Sequence, residues 1–171
     1  TSYLYMNMAK EPFGDERVRE AIWLAVDIPQ AVEVAYGSFE ELGTGIISPG
    51  IDGRHPDMGA FFPERDVERA KELLAEAGYP DGFQTSISCN NSDQQRKDFC
   101  EVIQAQLSEV GIQVQIDVMD STTWSSSLAA GEGYMTIYGL TASTGEAGRT
   151  LFRWLPDTSE WPISSWENQE Y

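Results

Sequence analysis

The sequence predicts an α/β fold, a mixed sheet flanked by helices. Short strand-like stretches at 3–7, 84–89, 112–118 and 134–140 are separated by longer stretches with helical apolar spacing. Helices between successive strands imply crossover connections, and therefore some parallel pairing. The chain has 171 residues and is 41% hydrophobic, which suits one domain with its own core, without metal or disulfide staples.

Each element has a local reason. Residues 3–7 alternate and read as a strand already under way; Pro12 and Gly14 then punctuate a turn. Asp15 is a helix cap, and Val18, Ala21, Ile22, Ala25 and Val26 make the apolar stripe of a helix over Glu16–Val26. Pro29 suits the first turn of a second helix that Gly37 closes after Tyr36. Residues 38–64 are dense in Gly and Pro and read as a long loop or covering arm within a single domain 1–171.

Asp66 opens the next helix, with Val67, Ala70, Leu73, Leu74 and Ala77 inward and Gly78 at its end. A turn at Tyr79–Phe83 feeds a strand, Gln84–Cys89. The polar run Asn90-Asn91-Ser92-Asp93 caps the longest helix, whose stripe is Phe99, Val102, Ile103, Leu107 and Val110. After Gly111, Ile112, Val114, Ile116 and Val118 alternate as a half-buried strand. A short helix over Thr122–Ala130 and a strand over Tyr134–Leu140 follow.

Charge narrows the partners. With 11 Lys and Arg against 28 Asp and Glu, the formal net charge is -17. Such a surface repels phosphate backbones and anionic headgroups, which argues against nucleic acid. No run approaches the roughly 20 apolar residues that span a bilayer. Cys89 and Cys100, eleven positions apart, admit two readings: a disulfide in an oxidising compartment, or two buried thiols.

Chemistry-bearing motifs are sparse. His55 is the single histidine, no Gly-x-Ser-x-Gly elbow occurs, and no His/Cys cluster suggests zinc. Gly43-Thr44-Gly45 lacks the remaining spacing of a dinucleotide fingerprint and the lysine of a phosphate loop. The reading is a protein that is not an enzyme and uses no cofactor.

Several blocks, in order, resemble a known family. These are Asn7, Pro12-Phe13-Gly14-Asp15-Glu16-Arg17-Val18-Arg19-Glu20-Ala21-Ile22, Ala25-Val26-Asp27, and Ile47-Ser48-Pro49-Gly50. Ala70-Lys71-Glu72-Leu73-Leu74-Ala75-Glu76-Ala77-Gly78-Tyr79-Pro80-Asp81-Gly82-Phe83 follows, then Leu107-Ser108-Glu109-Val110-Gly111-Ile112, Trp124 and Glu167-Asn168-Gln169-Glu170-Tyr171. Together they are similar to the extracytoplasmic solute-binding proteins of the dipeptide, oligopeptide and nickel group that feed ABC importers. The resemblance implies the carboxy-proximal lobe of a two-lobed type II periplasmic-binding-protein-like architecture. An amino-proximal lobe would precede Thr1, and crossing segments would follow Tyr171. It also implies a peptide or other small solute as cargo, ABC permease subunits as partners, and a periplasmic or cell-surface lipoprotein location.

In that family Gly-Trp followed by Ala-Asp faces the ligand. Here Leu140 stands at the tryptophan position and Ser143 at the aspartate position, and a serine supplies a hydrogen bond without a charge. The wording Ala142-Ser143-Thr144-Gly145-Glu146-Ala147 is closer to glutathione-binding-like receptors, with Glu146 as a substitute contact for an ammonium group. A two-lobed receptor takes the polar groups of its cleft from rigid strand ends, which nominates Asn90, Asn91, Thr141, Ser143 and Thr144, with Trp124, as ligand-facing positions beside Leu140, Glu146 and Arg149.

Plainer readings stand beside these. They are helix capping for Asn90 and Asn91, core packing for Trp124, and a strand-to-loop turn for Thr141, Ser143 and Thr144. Arg149 would meet a carboxylate. Arg17 and Arg19 offer either an anion site or local ion pairs beside Glu16 and Glu20. Trp154, Trp161 and Trp166 read as lobe contacts rather than a sugar-stacking platform. A solute sensor or adhesion module on the same lobe is the rival function, and nickel chelate or sugar the rival cargo.

Overall fold

The computed structural model describes residues 2–37, 47, 50–54 and 62–139. Its elements run β1 (Ser2–Met6), α1 (Glu16–Ala25), α2 (Ile28–Tyr36), α3 (Val67–Glu76), β2 (Gln84–Asn90), α4 (Gln94–Ser108), β3 (Gln113–Met119), α5 (Ser121–Ala129) and β4 (Met135–Gly139). The order is the one the apolar periodicities predict, with ends shifted by a residue or two where helices fray. Of the expected arm over 38–64, the described positions hold no helix and a lone bridge at Asp52; the rest lies outside the described residues.

Helix starts follow the capping chemistry closely. Asp15, Asp27, Asp66, Asp93 and Asp120 are the N-caps of α1 to α5, and each carboxylate accepts a backbone N–H of the first turn. Pro29 lies in the first turn of α2, where its missing donor costs nothing. α3 stops on Gly78 at a φ of 93°. There the Tyr79 N–H reaches the Leu74 carbonyl at 2.8 Å and the Gly78 N–H reaches that of Ala75 at 3.0 Å, a paired C-terminal cap.

The four strands form one mixed sheet in the order β1-β4-β2-β3. β1 runs antiparallel to β4, while β4, β2 and β3 are mutually parallel. From β2 the chain crosses through α4 to β3 at the sheet edge. It then returns through α5 past β2 to β4, placing the last strand between the first two.

Strand alternation sorts the sheet into two faces. Leu4, Met6, Ile87, Cys89, Val114, Ile116, Met135 and Ile137 join the main core with the stripes of α1 to α4. Tyr5, Met119 and Tyr138 point the other way and pack with Trp124 and Leu128 of α5 in a second, smaller cluster.

Two polar residues tie the layers together. Gln106, 5% exposed, lies in the buried stripe of α4. Its carbonyl accepts the Asp27 N–H at 2.9 Å, and its amide donates to Gln30 Oε1 at 2.7 Å. It thereby joins α4 to the α1–α2 corner without an unsatisfied buried group. Asn7, 3% exposed, donates to the carbonyls of Gly131 and Gly133 and accepts the Ala9 N–H. That side chain fixes the entry of β4 beside the exit of β1.

The arginines of α1 have local partners. Arg17 pairs with Asp15, holding that carboxyl below the usual carboxylate range, and also donates to the Glu76 carbonyl of α3. Arg19 donates to the carbonyls of Phe13 and Gly14. The local-pair reading therefore holds for Arg17, although its partner is the capping Asp15 rather than Glu16 or Glu20. Arg19 secures the turn.

Candidate functional site at the carboxyl edge of the sheet

In open α/β sheets, ligands bind outside the carboxyl ends of the parallel strands, where polar backbone and loop side chains converge. Here that edge comprises Asn90 of β2, Met119 of β3 and Gly139 of β4, with β1 entering beside β4. Ser2 is paired with Gly139 in the antiparallel register. Helices lie against both faces, and the rigid strands fix the direction of whatever follows them.

Asn90 is the organising side chain of this edge. Its amide donates to Ser121 Oγ at 2.9 Å, and its carbonyl oxygen accepts the Ser92 N–H at 2.9 Å. It thus folds the turn after β2 and fastens it to the first residue of α5. The Asn91 N–H donates to the Met119 carbonyl at 2.8 Å, extending the β2–β3 pairing by one step. Asn91 itself is exposed. Neither asparagine is the cap of α4: Asp93 holds that position, accepting from Arg96. The capping expectation for Asn90 and Asn91 is corrected accordingly, because an Asx-type turn at Asn90 uses the amide before the helix begins.

Trp124 lies in the first turn of α5 and is 7% exposed. Its indole N–H donates to Thr136 Oγ1 at 3.1 Å, and that hydroxyl donates to the Ser88 carbonyl at 2.9 Å. Its ring stacks on Tyr138, with centroids 5.9 Å apart and planes 25° from parallel. The core-packing reading describes what its ring and N–H do here: they brace α5 against β2 and β4, beneath the edge.

Two further residues of this edge are Ser121, which escapes sequence reasoning, and Asp120, which does not. Ser121 is polar and exposed, and only folding brings it to Asn90, 31 positions away. Asp120 was legible as a cap, since it immediately precedes Ser121-Thr122-Thr123. Its carboxylate accepts from Thr123 Oγ1 at 2.6 Å and from the N–H groups of Thr122 and Thr123. Those hydrogen bonds, that of the Thr123 side chain first, hold its carboxyl below the usual carboxylate range. A carboxylate already occupies the start of α5.

The sign of the resulting pH dependence follows. Because the folded state favours the Asp120 anion, its contribution is complete above the ordinary carboxylate value, and it is lost as pH falls through the lowered folded one. In a pH titration followed by NMR, the Thr123 amide shift should have its midpoint below about pH 3.9. A midpoint at or above that value would show the cap to be without effect.

Leu140, Thr141, Ser143, Thr144, Glu146 and Arg149 follow β4 in sequence and lie outside the described residues, as do His55, Trp154, Trp161 and Trp166. Among the described residues, no group of three or more His, Cys, Asp or Glu is arranged to hold a metal ion. No described helix is long and apolar enough to cross a membrane.

Residues 1–161 match the family model for bacterial extracellular solute-binding proteins, family 5, middle region. The chain belongs to this family. Its members are solute-binding proteins and not enzymes. Among curated relatives, the glutathione-binding protein GsiB of Shigella flexneri serotype 5b (strain 8401) is 34% identical over 155 residues, covering 87% of this chain and 30% of the relative. GsiB of Escherichia coli (strain K12) gives the same identity and coverage. The chain thus spans 30% of the length of these relatives.

Solved structures agree on the fold, an α/β lobe of the periplasmic-binding-protein kind. The DppA protein of Helicobacter pylori, in complex with the peptide STSA, superposes with a TM-score of 0.80 at 31% identity, over 88% of this chain and 28% of that one. HbpA2 of Haemophilus parasuis gives 0.86 at 26%, over 99% and 34%. AgaA of A.tumefacien R10, in complex with agropinic acid, gives 0.71 at 32%, over 81% and 28%.

Proposed function

We propose that this family 5 chain is the carboxy-proximal lobe of the substrate-binding component of an ABC importer, one that captures a peptide or peptide-like solute and presents it to membrane permease subunits. The observation that carries the reading is the family match over residues 1–161, joined to a sheet in which β2 and β4 are parallel neighbours, so that Asn90 and Gly139 end their strands at one edge. In this proposal residues 1–171 form a single lobe, 38–64 is a covering arm, and an amino-proximal lobe supplies the opposite wall. Closure of the two lobes excludes water and lets a few polar groups orient the cargo. The location is extracytoplasmic, either periplasmic or at the cell surface as a lipoprotein.

On this reading the contacts come from Asn91 and from the stretch after β4. Leu140 offers an apolar wall where a tryptophan stands in the resembled pattern. Thr141, Ser143 and Thr144 offer hydroxyls. Glu146 takes an ammonium and Arg149 a carboxylate. Asn90 and Trp124 support the edge from below.

A second reading, a small non-peptide solute, is supported by the likeness to a binding protein solved with agropinic acid. The two are separated by screening the full-length protein for thermal stabilisation with short peptides, glutathione, nickel chelates and sugars. A rise with peptides or glutathione is expected, whereas a response to sugars alone would overturn the peptide-like assignment. In the same protein Ser143→Ala should weaken binding of the responding solute by about 1 kcal/mol, one net hydrogen bond. Unchanged affinity would remove Ser143 from the site.

A further inference from the structure

Cys89 is the penultimate residue of β2, and Cys100 lies in the second turn of α4, the helix that β2 feeds. Both are 0% exposed and belong to the main core. Each thiol is a side-chain hydrogen-bonding neighbour of the other, and both are free thiols in this structure. The chain between them contains the Asn90 turn and the Asp93 cap, which form part of the candidate ligand edge.

We propose that Cys89 and Cys100 close to a disulfide that staples the β2–α4 turn beneath the ligand edge. The inference rests on the extracytoplasmic location proposed above, which would supply the oxidant; the pairing itself rests on the juxtaposition of the two thiols. The crosslink would close a short loop and hold Asn90 and Asn91 at fixed height over the sheet.

The chemistry is ordinary thiol–disulfide exchange with a small-molecule disulfide such as cystine. One cysteine thiolate attacks a cystine sulfur, forming a mixed disulfide and releasing cysteine as its thiolate. The second cysteine thiolate then attacks the protein sulfur of that mixed disulfide. The protein Sγ–Sγ bond forms and a second cysteine leaves. The protein gives up two electrons and two protons, and cystine takes up both on becoming two cysteines. Burial pushes both thiols up from their usual range, so little thiolate is present once the chain is folded. Closure therefore belongs to folding, before the core shuts.

The test refolds the full-length protein from denaturant in a cystine/cysteine buffer, blocks remaining thiols by alkylation, and digests with trypsin. Arg96 and Lys97 lie between the two cysteines, so trypsin separates them unless the bond joins the pieces. A linked pair of peptides, two hydrogens lighter than the reduced pieces together, is expected. Reduction should split the pair and lower the melting temperature of the protein by a few degrees. Full alkylation of both cysteines after oxidative refolding would overturn the proposal, and so would a linked form that melts lower than the reduced one. The double variant Cys89→Ala, Cys100→Ala should lose the redox dependence of melting. If it fails to fold, the mass readout on the unaltered chain still decides. A pair that closes in the tube but is recovered reduced from cells would count against the extracytoplasmic location and not against the pairing.

Discussion

Gly82→Ala should destabilise the fold by at least about 3 kcal/mol, through positive-φ strain and overpacking together. Gly82 holds a φ of 75°, and a Cβ placed there would sit 2.1 Å from the Gly111 carbonyl oxygen, which is backbone and has no rotamer to escape by. The approach is mutual, since a Cβ on Gly111 would meet the Asp81 carbonyl oxygen at 2.9 Å. These two turns lead into β2 and β3, whose parallel register begins with Gln84 opposite Gln113 and is set by the Gln113 N–H donating to the Phe83 carbonyl at 2.8 Å. Separating the turns enough to admit a methyl group would break the first rung of that ladder.

Gly78→Ala is the matched control. Its φ is 93°, but nothing lies within 4 Å of the position a Cβ would take. It should cost about 1–2 kcal/mol, the left-handed backbone penalty alone. At about 2–4 °C per kcal/mol for a chain of this size, the two variants should differ clearly in a thermal melt. Equal losses would mean that the close approach of the turns contributes nothing.

Trp124→Ala should cost about 3–5 kcal/mol in urea unfolding, the usual loss for emptying a buried aromatic site. The ring fills the second core between α5 and the sheet, and its removal also leaves Thr136 Oγ1 without its donor. Trp124→Phe separates these contributions. It keeps a ring against Tyr138 and loses the N–H, so it should cost about 1 kcal/mol. A loss below about 1 kcal/mol for Trp124→Ala would show that α5 is held by other contacts, and would return Trp124 to the edge as a group free to serve cargo.

Much of this architecture was legible in the sequence because its signals are local. Asp15, Asp66 and Asp93 announce helices, Gly78 and Gly111 end them, and the stripe Val18, Ala21, Ile22, Ala25, Val26 is buried throughout. Gln106 was not legible as core. Its partners Asp27 and Gln30 lie 79 and 76 positions away, and nothing within one helix indicates that a glutamine on the apolar stripe will be satisfied. The candidate edge was readable only in part. Their place at a strand end led to Asn90 and Asn91, and family wording to Trp124, but their roles depend on Ser121, Thr136 and Ser88, which carry no motif.

Sequence alone determined the order of strands and helices, where most of the helices start and stop, and which stripes are apolar. Those follow from spacing, capping and turn chemistry within a few residues of each position. Tertiary structure decided that β4 inserts between β1 and β2, that Gly82 meets Gly111, that Asn90 fastens α5, and that the Trp124 indole faces inward. Each of these joins residues far apart in the chain, and its free energy exists only once the intervening elements have docked.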